Sequence, residues 1–146
     1  MHFNRRYGAI VSLTAAISLL TVSCSQSKVS QCKKLVNVAE GAIAQAQTAS
    51  NKTKGGKPEG MLKVADTMDK AAQAMGAIEL TDEKLKPYQA GLIKMYRNTS
   101  KATRDFVGAY NKKDRWAAEA SLKNLQKATA PEQELVTGLN TYCKPN

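Results

Sequence analysis

The stretch that decides the fold is residues 88–110, which reads YQAGLIKMYRNTSKATRDFVGAY. Apolar or weakly polar side chains recur on one side of it, and these are Tyr88, Leu92, Met95, Thr99, Phe106 and Tyr110. Cations recur on the opposite side, and these are Lys94, Arg97, Lys101 and Arg104. Opposed faces at helical spacing predict an amphipathic surface helix. Asp105 lies four residues after Lys101, so an ion pair between them is expected.

Two earlier stretches show the same periodicity. A first helix is predicted over about residues 29–49, with a buried face of Cys32, Leu35, Val36, Ala39, Ile43 and Ala46. A second is predicted over about residues 59–78, with Met61, Met68 and Met75 seven apart beside Ala65, Ala72 and Ile78. Methionine fills irregular gaps in cores, so this stripe indicates a buried face rather than a metal surface. A turn-rich linker, residues 51–58, separates the two helices.

The third helix has a capping signal at its start. The hydroxyl of Thr81 can cap free backbone amides, and Leu80 with Leu85 can close a hydrophobic staple around that cap. Pro87 falls in the second turn, which predicts either a kink or a late start.

The fourth helix is predicted to start near Asp114, a good N-cap residue. Its apolar face is Ala118, Leu122 and Leu125, continued later by Leu135, Val136, Leu139 and Tyr142. Pro131 interrupts it, and the spacing of Thr129 and Glu132 is that of a capping box at which the helix restarts.

Four amphipathic helices with no strand signal predict an all-α protein. The expected architecture is an antiparallel, up-down-up-down four-helix bundle whose last helix is kinked or split near Pro131. The chain of 146 residues has room for one domain, and its low aromatic content of 5% suits helices packed through small side chains.

The first residues have the pattern of an export signal. Arg5 and Arg6 precede an apolar stretch, residues 9–20, that is short for a membrane span. The end of the stretch, residues 19–24, resembles the lipobox of bacterial lipoproteins, in which the cysteine, here Cys24, is lipidated. We expect a signal peptide in residues 1–23, a tether in residues 24–28 and the bundle in residues 29–146. Ordinary cleavage nearby, which leaves a soluble protein, is the alternative.

The charge of the chain is strongly positive, at +10. Removal of Arg5 and Arg6 leaves 20 basic and 12 acidic residues, or +8. This balance favours an acidic protein surface, an anionic membrane or a polyanion as partner. Nucleic acid is not expected for an exported protein that lacks a nucleic-acid-binding signature.

Two cysteines remain once Cys24 is lipidated. Cys32 begins the first predicted helix and Cys143 ends the fourth, and an up-down-up-down bundle places both at one end. Exported proteins form disulfides readily. A Cys32–Cys143 disulfide is therefore predicted.

Several kinds of chemistry are missing. The single histidine, His2, leaves with the signal peptide, and no Cys-x-x-Cys motif occurs. No catalytic residue, metal site or cofactor is predicted. The carboxylates spaced three apart, Asp66 with Asp69 and Glu79 with Asp82, are typical of a solvated helix. A carboxylate-based enzyme is thus only the third alternative.

The preferred function is a non-enzymatic, membrane-tethered accessory or interaction protein. The bundle topology places two basic linkers together at the end far from the membrane, and we predict partner binding there by Lys52, Lys54, Lys57, Lys112, Lys113, Arg115 and Trp116. Against these cations we count Glu59 and Asp114, so this end carries about +4. The plain alternative is that the linkers are polar because they face solvent and that Trp116 covers the end of the core. Residues 94–104 carry the next candidate binding surface. The runner-up function is an apolar-ligand binder with a cavity lined by Met68, Met75, Met95 and Phe106.

Three segments carry a resemblance to a known group. They are Cys32, residues 96–104 (YRNTSKATR) and residues 135–143 (LVTGLNTYC). With them the chain resembles small, uncharacterised predicted lipoproteins of cyanobacteria, which implies a location on the periplasmic side of a membrane or in the thylakoid lumen. By architecture, a lipidated helical bundle is also similar to the Q-type extrinsic subunit of photosystem II.

Overall fold

The computed structural model describes residues 27–52 and 56–144. Helices take up 84% of these residues, and no strand occurs among them. In chain order the helices are α1 (Lys28–Lys52), α2 (Pro58–Gly76), α3 (Lys86–Asn111), α4 (Arg115–Thr129) and α5 (Glu132–Cys143). Since α4 and α5 form a last helix that bends by 15°, the predicted four-helix bundle with a kinked last member is confirmed.

The helices follow the up-down-up-down order, with α3 at the centre of the packing. It packs against α2, α4 and α5, whereas α1 packs against α2 and α5. We call the end that holds Cys32, Cys143 and residues 77–85 the proximal end. The opposite, distal end holds the end of α1, the start of α2 and the connection of residues 112–114.

The core is concentrated toward the proximal end. Leu35, Met75, Leu85, Leu92 and Leu139 are each no more than 2% exposed. Full burial of such a side chain contributes about 1.5–3 kcal/mol to folding, so this cluster is the main source of stability. The methionine stripe is buried most deeply here as well, because α2 ends in this cluster while its first turns lie at the distal end.

The proximal end is closed by the predicted cysteine pair. The Sγ atoms of Cys32 and Cys143 lie at disulfide-bonding distance, and their Cα atoms are 5.7 Å apart. The first turn of α1 is thereby joined to the last turn of α5.

The neighbours of the two cysteines hold the loop between α2 and α3. Gln31 is only 2% exposed. Its Oε1 accepts hydrogen bonds from the backbone N–H groups of Thr81 (2.8 Å) and Asp82 (3.1 Å). Its Nε2 donates to the Thr81 hydroxyl at 3.0 Å. Tyr142 donates its hydroxyl to Asp82 at 2.7 Å. Lys28 lies over the Tyr142 ring, 4.4 Å from its centroid. We call this group of contacts the proximal clasp.

The clasp explains where α3 begins. Thr81 does not cap α3, because the helix begins only at Lys86, with Leu85 as its N-cap residue; the predicted cap is wrong. Leu85 is fully buried in the core cluster, against which Leu80 also packs. The helix has the late start predicted as one outcome of Pro87, which lies in its first turn. In the first turn of α3, Gln89 donates its side-chain amide to the carbonyls of Met75 (2.7 Å) and Ile78 (2.8 Å) at the end of α2.

Two glycines let α3 and α5 approach closely. A Cβ atom at Gly91 would lie 2.6 Å from a methyl carbon of Leu135, and one at Gly138 would lie 2.7 Å from the ring of Tyr88. Both distances are below van der Waals contact, so any larger residue forces a neighbour to move.

The last helix starts and restarts where predicted, but only one of its two predicted capping interactions is present. Asp114 caps α4 by accepting the N–H of Ala117 at 3.0 Å. The helix restarts at Glu132, as predicted. The capping box is wrong, because the hydroxyl of Thr129 donates back to the carbonyls of Leu125 (3.1 Å) and Gln126 (3.3 Å) in its own helix.

The distal half of the bundle is more open than predicted. Ile43 and Leu122 were both expected on buried faces, but they are 45% and 42% exposed. The reason is tertiary: among the described residues α4 packs on α3 and makes no comparable contact with α1. A face that is apolar by periodicity thus has no neighbour to cover it.

Candidate functional site

A three-residue turn, residues 112–114, presents the residues predicted to bind a partner. The N–H of Asp114 donates to the carbonyl of Ala109 at 2.9 Å, and that of Lys113 to the carbonyl of Tyr110 at 3.0 Å. This pair of bonds is a Schellman motif, in which glycine usually occupies the position of Lys113. Lys113 has φ = 58°, a left-handed conformation that costs a non-glycine residue roughly 1–2 kcal/mol. Because Asp114 also caps α4, the turn is fixed on both sides.

Two aromatic side chains stand exposed beside this turn. Trp116 is 84% exposed in the first turn of α4, and Tyr110 is 60% exposed in the last turn of α3. Tyr110, expected on the covered apolar face, is exposed because the distal interior is open. Its ring stacks on that of Phe106 with centroids 6.3 Å apart. Exposed aromatic rings of this size are common at the centres of binding surfaces.

Tyr110 also connects the two linkers, whose proximity the topology predicted. On one side it lines a cleft of about 100 Å³ with Gly56 and Pro58 at the start of α2. On the other side it lines a cleft of about 530 Å³ with Arg115 and Ala118 of α4. The beginnings of α2 and α4 therefore flank the same aromatic residue.

The cations of this end are exposed where the structure describes them, and they are Lys52, Lys57, Lys112, Lys113 and Arg115. Lys54 lies outside the described residues. Arg115 donates to Glu119 at 3.1 Å, a pairing that the sequence interpretation missed. With Glu119 counted beside Glu59 and Asp114, the formal charge of the distal end is +3 rather than +4. The surface stays basic, although one of its cations is partly neutralised.

The cations of α3 are more fully engaged. Lys101 pairs with Asp105 at 2.6 Å, as predicted. Arg104 bridges to Asp66 and Asp69 of α2, both at 2.7 Å. Partial burial opposes ionisation of Asp69, but hydrogen bonds from Arg104 and Ser100 outweigh it and lower the pKa of that carboxyl. Arg104 therefore links α3 to α2, whereas Lys101 is paired within α3.

Three of the four carboxylates considered for catalysis have structural partners. Asp66 and Asp69 are both held by Arg104, and Asp82 accepts bonds from Tyr142 and from the backbone of Lys84. Within residues 27–52 and 56–144, no group of three or more histidines, cysteines or acids is placed to hold a metal ion.

The four side chains proposed to line a ligand cavity are divided between two places. Met75 and Met95 are 0% and 7% exposed and belong to the core cluster, against which Met68 packs. Phe106 instead lines the small distal cleft beside Tyr110.

The export features fall on a part of the chain that the structure leaves undescribed. Cys24, the signal peptide and most of the tether lie before residue 27. Of the described helices, none combines the length and apolar character that crossing a bilayer requires. Comparison with protein-family models, with curated proteins and with solved structures found no match to the chain.

Proposed function

We propose that this chain is a non-enzymatic accessory protein, exported and tethered to a membrane through Cys24, that binds an acidic protein surface with its distal end. The observation that carries the proposal is Trp116, which is 84% exposed among three cations of the α3–α4 turn. A bulky aromatic side chain gains nothing from exposure to water, whereas tryptophan and arginine are enriched among residues that dominate binding energy.

The geometry of the tether supports the same surface. A lipid anchor before α1 holds the proximal end against the membrane, so the distal end points away from it. The distal end would then meet proteins that project from that membrane or assemble on it. The resemblance to cyanobacterial lipoproteins would place this encounter in the periplasm or the thylakoid lumen.

The strained turn is a second support. Lys113 occupies a position where glycine would relieve backbone strain, yet it presents a cation beside Lys112 and Arg115. Strain of this kind is often retained at functional positions.

The test is crosslinked recovery of partners from native membranes. The test variant reverses four charges, at Lys54, Lys57, Lys112 and Lys113, by changing each to Glu, and it also carries Trp116→Ala. We expect its melting temperature to stay close to that of the wild type, because Lys57, Lys112, Lys113 and Trp116 are exposed. Its partner recovery should fall most at low salt.

The matched control reverses four exposed lysines elsewhere, at Lys63, Lys70, Lys123 and Lys127. It has the same change in net charge and should retain the partner. Equal recovery with the test variant and the wild type would reject the distal end as the interface. Residues 94–104 of α3 would then be the next surface to test.

A further inference from the structure

Two clefts lie end to end between α1 and α2. The first has a volume of about 240 Å³ and is lined by Val38 and Lys70, among others. The second has a volume of about 420 Å³ and extends to Lys52 at the end of α1. Gln45 and Thr67 line both clefts, which therefore form one continuous groove. We call it the α1–α2 groove, and its length from Val38 to Lys52 is about 21 Å.

The groove presents positive charge. Of the described residues that line it, Lys52, Lys63 and Lys70 are basic and none is acidic. All three lysines are exposed, and none forms an ion pair within residues 27–52 and 56–144. Two carboxylates of α2, Glu59 and Asp66, precede Lys63 and Lys70 by about one helical turn. Neither lines the groove, and Asp66 is held by an arginine of α3.

The floor of the groove is formed by small and uncharged side chains. Ala42 and Ala71 are 4% and 6% exposed at its base. Thr48 and Thr67 donate their hydroxyl hydrogens to carbonyls of their own helices, at 2.8 and 2.9 Å. Their oxygens keep lone pairs that can accept a hydrogen bond, and the amide of Gln45 can both donate and accept. The floor therefore offers hydrogen bonds, chiefly acceptors, to a chain that lies along it.

A linear polymer with many negative charges is complementary to this groove. Lys63 and Lys70 are seven residues apart, about 10 Å along α2, so a small anion meets one of them whereas a polyanion meets both. Sugar hydroxyl groups can donate to the threonine oxygens of the floor, which an acidic side chain cannot do. A second copy of this chain is a poor occupant, because its longest acidic run is the pair Asp82-Glu83.

We propose that the α1–α2 groove binds a linear anionic polysaccharide, with its charges at the three lysines and its hydroxyl groups at the floor. The inference takes from the proposed function only that the protein is exported, where it meets polysaccharides rather than nucleic acid. The site is separate from the distal surface around Trp116. Both can therefore be occupied at once.

The test measures binding of defined polymers to the full mature chain in nanodiscs of neutral lipid, by isothermal titration calorimetry at low salt. Heparin is the sulfated probe and polygalacturonate the carboxylated one. Dextran is the neutral control, and polyglutamate represents an acidic peptide. We expect both anionic polysaccharides to bind, dextran not to bind, and polyglutamate to bind at least about fivefold more weakly, because it cannot donate side-chain hydrogen bonds to the floor.

Variants with equal changes in charge locate the site. Lys63→Gln with Lys70→Gln should weaken heparin binding by about tenfold or more and reduce the slope of log affinity against log salt by about 1.5–2. The control, Lys112→Gln with Lys113→Gln at the distal end, should bind heparin like the wild type. Thr67→Val removes one acceptor of the floor while keeping the shape of the side chain. It should weaken heparin several-fold and leave polyglutamate unchanged.

Three results would overturn the proposal. Equal weakening by the two lysine pairs would mean that heparin follows overall charge and not the groove. Polyglutamate that binds as tightly as heparin would identify an acidic peptide as the occupant. Absence of binding by both anionic polysaccharides would reject the site outright. Because these measurements need no partner protein, they stand even if partner recovery from membranes rejects the distal end as an interface.

Discussion

Removal of the disulfide is predicted to destabilise the bundle strongly. The perturbation is Cys32→Ala with Cys143→Ala, which avoids burying a new hydroxyl at Cys32, a residue only 4% exposed. The two cysteines are 111 residues apart. Chain-entropy reasoning gives about 4.8 kcal/mol at 25 °C for closing a loop of this length.

The measured loss is expected to lie between about 2.5 and 4.8 kcal/mol, since removal of a native disulfide from a small exported domain typically costs about 2–5 kcal/mol. A domain of about 120 residues unfolds with an entropy of roughly 0.25 kcal/mol/K, so the melting temperature should fall by about 10–20 °C. Circular dichroism at the helical band follows the transition.

Reductant supplies the internal control. It should lower the melting temperature of the wild type by a similar amount and leave the double variant unchanged. Hydrogen exchange should show that the extra opening begins at residues 77–85, because the proximal clasp depends on the positions of Gln31 and Tyr142. Two free thiols in the non-reduced protein, or a fall of less than about 3 °C, would refute the reasoning.

The remaining predictions concern packing, pH and anchoring. Gly138→Ala should destabilise the protein by about 1 kcal/mol in denaturant titrations. Gly41 has open space around it, so Gly41→Ala should stabilise the protein by about 0.5–1 kcal/mol. A change in stability of the same sign for both variants would contradict the close approach of α3 and α5. The stability lost in Tyr142→Phe should be greatest between about pH 5 and 9. The hydrogen bond lowers the pKa of Asp82, so its contribution to stability disappears as pH falls below about 4. It raises the pKa of Tyr142, so its contribution also disappears as pH rises above about 10. A stability difference between wild type and Tyr142→Phe that does not change with pH would count against the bond. Cys24→Ser should leave the membrane fraction or accumulate uncleaved, and wild-type protein that is soluble and starts at another residue would disprove lipidation.

The proximal half could be predicted from the sequence because several signals agree there. Apolar periodicity, chain direction and the two cysteines all place the ends of α1 and α5 together. Gln31 could not be identified in this way, since a polar residue at the start of a helix usually meets solvent. Its role depends on the loop at Thr81, which is fifty residues away in sequence.

The distal half shows where periodicity stops being informative. The pattern identifies which side of a helix is apolar, but it does not show whether another helix covers that side. Ile43 and Leu122 are at the predicted helical positions, yet both are exposed because, among the described residues, α4 packs on α3 and makes no comparable contact with α1. Tyr110 was likewise predicted to be on the apolar face, and it is part of the candidate site instead.

Two glycines, one in α3 and one in α5, indicated a close helix contact that apolar periodicity does not reveal. Gly91 and Gly138 lie inside helices, where glycine costs about 1 kcal/mol relative to alanine. A helical glycine with no turn to make often marks a close contact, and here each accommodates a side chain of the neighbouring helix. Which helix approaches still required the three-dimensional structure.

The most direct test of the central claim, that partners bind at the distal end, is hydroxyl-radical footprinting of the protein in native membranes and after purification. Trp116 and Tyr110 are 84% and 60% exposed in the isolated chain, so both should oxidise rapidly when purified. On membranes, oxidation of both should fall several-fold, and reversal of the charges at Lys112 and Lys113 should restore it. Unchanged oxidation of Trp116, together with protection confined to residues 94–104, would contradict the account.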